Sequence, residues 1–129
     1  MEQTRHIVEL AESVAKPKRF VFALLDNFTM LCFASAVESL RIANRMAGQT
    51  LFDWRIVGEG GEAVTCSAGT RFHLDGDLEE LSRDGTILIC GGIDVAQATT
   101  KRVLNWIRRE ARKGATIGGL CTAGYTLAK

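Results

Sequence analysis

Two stretches of this chain, Arg19-Phe-Val-Phe-Ala-Leu-Leu25 and Thr86-Ile-Leu-Ile-Cys90, run through apolar, branched and aromatic residues without alternating with polar ones. A strand that is apolar on both sides has no face to offer water, so it must be covered above and below. Between and after these runs the periodicity changes. Phe33, Val37, Leu40 and Asn44 recur at helical spacing through about Met46, with Gly48 as a stop. Phe52–Gly58 alternates and reads as a second strand, closed by a turn at Gly60-Gly61. Val103, Leu104, Ile107 and Ala111 stripe a helix over Lys101–Lys113 that Gly114 ends, and Ala115–Leu120 reads as a further strand running into Cys121. Thr122 to Lys129 has the composition of a helix start. Strands alternating with helices predict an α/β fold built on a parallel sheet covered on both faces.

The other segments carry less information. Residues 1–18 hold a short apolar stripe before Pro17 and read as an N-terminal arm ahead of a domain over 19–129. Residues 62–74 suit a small hairpin or an excursion off the main sheet. Asp75, Asp77, Glu79, Glu80 and Asp84 read as a solvated loop and short helix, and the basic positions of the 101–113 helix as a solvated face that Glu110 interrupts. The 129 residues suit one domain. With 24% charged and 47% hydrophobic residues and no apolar run near the roughly 18 residues of a membrane span, the chain is expected to be globular, without a membrane partner, and cytoplasmic. A formal charge of +1 leaves no electrostatic footprint for nucleic acid.

In an open parallel sheet, ligands sit beyond the carboxyl ends of the strands. Four places qualify: Asp26 to Cys32, Gly58 to Gly61, Gly91-Gly92 with Ile93, and Cys121 with Thr122. Cys121 is the most informative, because Gly118-Gly-Leu-Cys-Thr-Ala-Gly124 surrounds it with the small neighbours of a strand-to-helix nucleophile elbow. There a helix dipole and the Thr122 N–H would favour a thiolate, and N–H groups of Gly91-Gly92 could complete an anion cradle. Spacing alone fits a small buried cysteine equally well. Cys32, Cys66 and Cys90 read as inert free thiols, since no C-x-x-C pair marks a zinc or redox site. No metal or cofactor site is expected.

Asp26-Asn-Phe-Thr-Met-Leu31, Ala36-Val-Glu-Ser-Leu-Arg-Ile-Ala-Asn44, Ile87-Leu-Ile-Cys-Gly-Gly92 and Gly118-Gly-Leu-Cys-Thr-Ala-Gly-Tyr-Thr-Leu-Ala128 together resemble, in order over 19–129, the PfpI/ThiJ-type, class I glutamine amidotransferase-like domain. Glu38–Asn44 and Cys121-Thr-Ala-Gly124 look more narrowly like the amino-terminal domain of AraC-type transcriptional regulators. The resemblance implies a flavodoxin-like sandwich, C-terminally truncated here to about its first two-thirds. Enzymes of the superfamily carry an acid after strand one that bonds the elbow thiol. Aligned without gaps, that place falls on Cys32, while Glu38 matches a non-catalytic position. Neither His6 nor His73 sits where a base belongs, so no catalytic residue is expected unless Cys121 acts alone.

The expectation is therefore an effector-sensing and dimerisation domain. It would bind a small metabolite near Asp26, Cys32, Gly91, Gly92, Ile93, Cys121 and Thr122, and reach DNA only through a helix-turn-helix domain absent from this chain. A cysteine-dependent amidase, hydratase or deglycase using Cys121 is the alternative, and an architectural dimerisation module a third. Missing sheet strands would leave an exposed edge that favours self-association.

Overall fold

The computed structural model describes residues 16–81 and 85–129, so His6, most of the expected arm and the end of the acidic stretch lie outside the described residues. The elements in chain order are β1 (Lys18–Leu24), α1 (Met30–Ala47), β2 (Phe52–Val57), β3 (Ala63–Thr65), β4 (Arg71–His73), β5 (Thr86–Cys90), α2 (Val95–Ala98), α3 (Lys101–Arg112), β6 (Thr116–Leu120) and, after a 3-10 turn over Cys121–Ala123, α4 (Gly124–Leu127). Strands β2, β1, β5 and β6 lie side by side in that order, and every pairing between them is parallel.

The uninterrupted apolar run of β1 now has its explanation. Val21, Ala23 and Leu25 pack on one face with Ile87, Ile89, Val103, Trp106 and Ile107. Phe22 and Leu24 pack on the other with Phe33 and Val64, joined by Val37 and Leu40 of α1. Helix α3 thus covers one face and α1 the other, as an α/β sandwich requires. Register matters for the site, because Leu24 stands opposite Cys90 and Cys90 opposite Leu120. Three strands end level, and whatever follows them meets at one edge.

Helix α1 begins at Met30, earlier than the apolar spacing indicates, because extended Thr29 serves as its N-cap. It ends at Gly48, whose φ of 68° is the left-handed conformation glycine adopts most readily. Asn44 belongs to no apolar stripe. Its Oδ1 accepts the N–H groups of Leu51 and Phe52 at 2.8 and 3.0 Å, and its Nδ2 donates to the Phe52 carbonyl at 2.9 Å, which ties the end of α1 to the start of β2. Residues 62–74 form an antiparallel hairpin off the main sheet, with Val64 opposite Phe72, and the ring of Phe72 joins Phe28 and Phe33 at centroid distances of 5.2 and 6.1 Å.

Two expectations are corrected here. Described residues 75–81 contain no helix, and their carboxylates are partnered rather than merely solvated. Asp75 accepts the Ile56 N–H at 2.8 Å, Asp77 accepts the Gly60 and Leu78 N–H groups at 3.1 and 2.7 Å and pairs with Arg102, and Glu79 pairs with Arg55. The buried face of α3 is Val103, Trp106, Ile107 and Glu110, with Ala111 exposed. Glu110 does not interrupt a wet basic face. Its carboxylate is 1% exposed, 3.4 Å from Lys113 Nζ and 3.8 Å from Arg109.

Candidate functional site

Cys121 stands where β6 gives way to the 3-10 turn, and its φ of 57° places a non-glycine residue in the left-handed region. Such a conformation costs on the order of 1–3 kcal/mol and persists only where surrounding packing imposes it. The glycine before it is part of that packing. A Cβ on Gly119 would come within 3.1 Å of Leu127 and 3.2 Å of the Ala123 carbonyl carbon, so α4 folds back tightly on β6. A Cβ on Gly124 would meet nothing within 4 Å, so the second elbow glycine answers no steric need. Cys121 is exposed, which removes the alternative of a small buried residue.

Three groups act on its sulfur. The Thr29 hydroxyl lies 3.3 Å from Sγ, and the Cys32 thiol and the Thr122 N–H also favour its charged form. Together they hold the Cys121 thiol below its ordinary value, with the Thr29 contact the largest cause and partial burial opposing it. The helix dipole anticipated from the sequence is not needed, since α4 is a single turn. Cys32 moves the other way, raised by burial first and by Cys121 next. Behind them the Cys90 thiol is pushed up to about 12 by burial and by the neighbouring Cys32. Among the described residues, the groups acting on Cys121 include no carboxylate and no histidine.

Thr29 is the residue that sequence reasoning missed. Its position before a helix signals an N-cap, yet its side chain makes no capping bond and turns to the thiol instead. A capping-competent residue one turn before Cys32 was the available clue.

Gly91 and Gly92 do something other than cradle an anion. The Gly91 N–H is spent on the Leu120 carbonyl at 3.3 Å, and the Gly91 carbonyl accepts the Thr29 N–H at 3.0 Å. A Cβ on Gly92 would lie 2.1 Å from the Asn27 carbonyl oxygen, and one on Gly91 2.9 Å from the Ala123 nitrogen. The bare backbone lets three loops touch. Ile93 N–H donates to Asn27 at 3.1 Å, and Thr122 Oγ1 donates to the Gly92 carbonyl at 2.7 Å, which closes the crevice between the ends of β1 and β5 with protein. Ile93 itself projects outward, 59% exposed.

Asp26 belongs elsewhere. It is exposed at the rim of a cavity of about 250 Å³ floored by Leu24, Leu25 and Val103 and flanked by Glu59, and Cys121 is not among the residues lining it. The predicted residues therefore divide into Cys32, Cys121 and Thr122 around one sulfur, Gly91 and Gly92 as the packing beneath it, and Asp26 at a separate concavity. Glu59, on the turn after β2, was not singled out from sequence.

A parallel α/β sandwich with an exposed elbow cysteine defines a class of domain rather than one activity. Comparison with known proteins narrows it. Residues 18–129 match the DJ-1/PfpI family, and the chain belongs to that family. It is similar to the HTH-type transcriptional regulator GbdR of Pseudomonas aeruginosa, 33% identical over 113 residues, a span of 88% of this chain and 31% of the relative. It is also similar to the HTH-type transcriptional regulator CdhR of the same species, 36% identical over 110 residues, or 85% and 32% of the two chains. The chain thus spans about a third of the length of these relatives. Among solved structures, an AraC family transcriptional regulator from Pseudomonas putida superposes with a TM-score of 0.71 at 25% identity, covering 86% of this chain and 60% of that one.

Proposed function

We propose that this chain is the effector-sensing portion of an AraC-type transcriptional regulator, acting in the cytoplasm and pairing with a second copy of itself. A small molecule would be received at the carboxyl ends of the strands, in the concavity rimmed by Asp26 and Glu59 rather than at the elbow of Cys32, Cys121 and Thr122, with Gly91-Gly92 holding the loops in place and Ile93 projecting outward. The observation that carries this reading is the make-up of the elbow: its sulfur has hydroxyl, thiol and amide companions where turnover would need an acid or base. The regulator relatives support it, and contact with DNA is assigned to the remaining two-thirds of a protein of their kind. An apolar floor with Asp26 and Glu59 at the rim suits a ligand carrying positive charge on a small apolar body.

The test is titration of the full-length protein with amines, amino acids and quaternary ammonium compounds. An effector raises the melting temperature and changes DNA affinity, and Asp26→Asn weakens both effects. If no compound moves either quantity, the sensing role is wrong. The lowered Cys121 thiol favours a second reading, a cysteine enzyme of amidase, hydratase or deglycase type. Turnover abolished by Cys121→Ser would establish it.

A further inference from the structure

We propose that Cys121 and Cys32 form a dithiol modification site that a hydroperoxide converts into an intramolecular disulfide. The placement comes from the fold. Cys121 follows β6 at the edge where β1 and β5 also end. Thr29 and Cys32, three residues apart at the start of α1, share one helix face. Since the Thr29 hydroxyl touches the Cys121 sulfur at 3.3 Å, the first turn of α1 is turned to the elbow, and Cys32 on that turn is near enough to act on the same sulfur.

The order of events follows from exposure. Cys121 is exposed, Cys32 half-buried, and Cys66 and Cys90 buried, so a small oxidant in solution meets Cys121 first. The depressed Cys121 thiol supplies the thiolate that such attack requires, while the raised Cys32 thiol stays protonated until it is needed. The Cys121 sulfur attacks one peroxide oxygen, the O–O bond breaks, and the departing oxygen leaves with a proton, giving a sulfenic acid. The Cys32 sulfur then attacks the sulfenic sulfur, its own proton passing to the leaving hydroxyl. The S–S bond forms, the S–O bond breaks, and water departs. Two thiols are oxidised by two electrons, and one hydroperoxide is reduced. A carboxylate in the place of Cys32 could stabilise the oxidised sulfur but could not bond to it. The inference needs neither effector nor DNA, so it stands or falls apart from the sensing role.

The experiment treats the reduced full chain with one equivalent of hydrogen peroxide at neutral pH, alkylates the unfolded product and maps peptides without reduction. The expected result is a fall from the four cysteine thiols to two, a linked Cys32–Cys121 peptide pair, alkylated Cys66 and Cys90, and full recovery by dithiothreitol. Cys32→Ser is expected to lose the link and to stop at Cys121 sulfenic acid, which a second equivalent of peroxide carries on to sulfinic acid. Cys121 sulfinic or sulfonic acid beside an alkylated Cys32 in the native chain would overturn the proposal, as would a link to Cys90 or one between two chains. The native map decides even where the variant fails to fold.

Discussion

At the scale of single residues, the chemistry of the elbow turns on a hydroxyl that forgoes its usual role. Thr29 sits at the N-cap of α1 without capping it, and its contact with Cys121 is the largest cause of the lowered thiol. Thr29→Val keeps the shape and deletes the donor. The pH midpoint of Cys121 alkylation, which should lie below that of an ordinary thiol in the native chain, is expected to rise in this variant and return in Thr29→Ser. An unmoved midpoint would reassign the shift to Cys32 and the Thr122 N–H. Cys90 titrates in the opposite sense. Its folded value is raised from 9.0 to about 12, so the stability tied to its neutral form is complete below the unfolded value and is lost as pH climbs through that window. The loss is at most roughly 1.4 kcal/mol per pH unit. Urea unfolding of Cys90→Ala between those limits should show a shallower decline than the native chain, and parallel curves would mean that Cys90 ionises without cost.

At the scale of elements, two contacts hold the strand ends together. Asn44 satisfies two backbone donors and one acceptor between α1 and β2, so Asn44→Ala leaves them without a partner and is expected to cost about 1–3 kcal/mol in urea unfolding. A change below a few tenths would show that water replaces the side chain. Gly92 is the second contact, since any Cβ there strikes the Asn27 carbonyl. Gly92→Ala should cost about 1–3 kcal/mol or more, read as a lower urea midpoint, because backbone rather than a flexible side chain must yield. Neither role could be read along the chain. The two-faced burial of β1 and β5 was legible because their apolar runs record it residue by residue. The helix face of α3 was misread at Glu110 because polarity stood in for exposure, and Leu104 was read onto the buried stripe in place of Trp106, although Trp106 stands three residues after Val103 and beside Ile107 at regular helical spacing. Thr29 and Glu59 lay inside stretches marked by the strand ends but were not singled out there, for a different reason. Each matters through a partner or a cavity wall that only the folded sheet brings near, Cys121 lying 92 positions beyond Thr29.

At the scale of the whole molecule, the surface of α1 carries the argument for pairing. Leu31, Ile42 and Met46 are 74%, 49% and 83% exposed. Leu31 and Ile42 lie about three turns apart and Met46 one turn further, so all three fall on a single stripe. Beneath it only Phe33 of α1 is fully buried, which makes the helix a thin cover with apolar groups on its wet side, the kind of surface that marks an interface. A second copy offering the same stripe would bury Leu31 and Met46 against their counterparts, at about 1.5–3 kcal/mol for each large side chain removed from water. Sedimentation of the native chain should therefore show association that grows with concentration. Leu31→Glu with Met46→Glu should weaken it by about tenfold or more, since each 1.4 kcal/mol is a factor of ten in the dissociation constant. If the double variant associates as the native chain does, the contact lies at the outer edge of β6, which has no strand partner among the described residues. A native chain that stays monomeric at high concentration would remove self-association altogether and leave the elbow and the cavity beside Asp26 to act within one subunit.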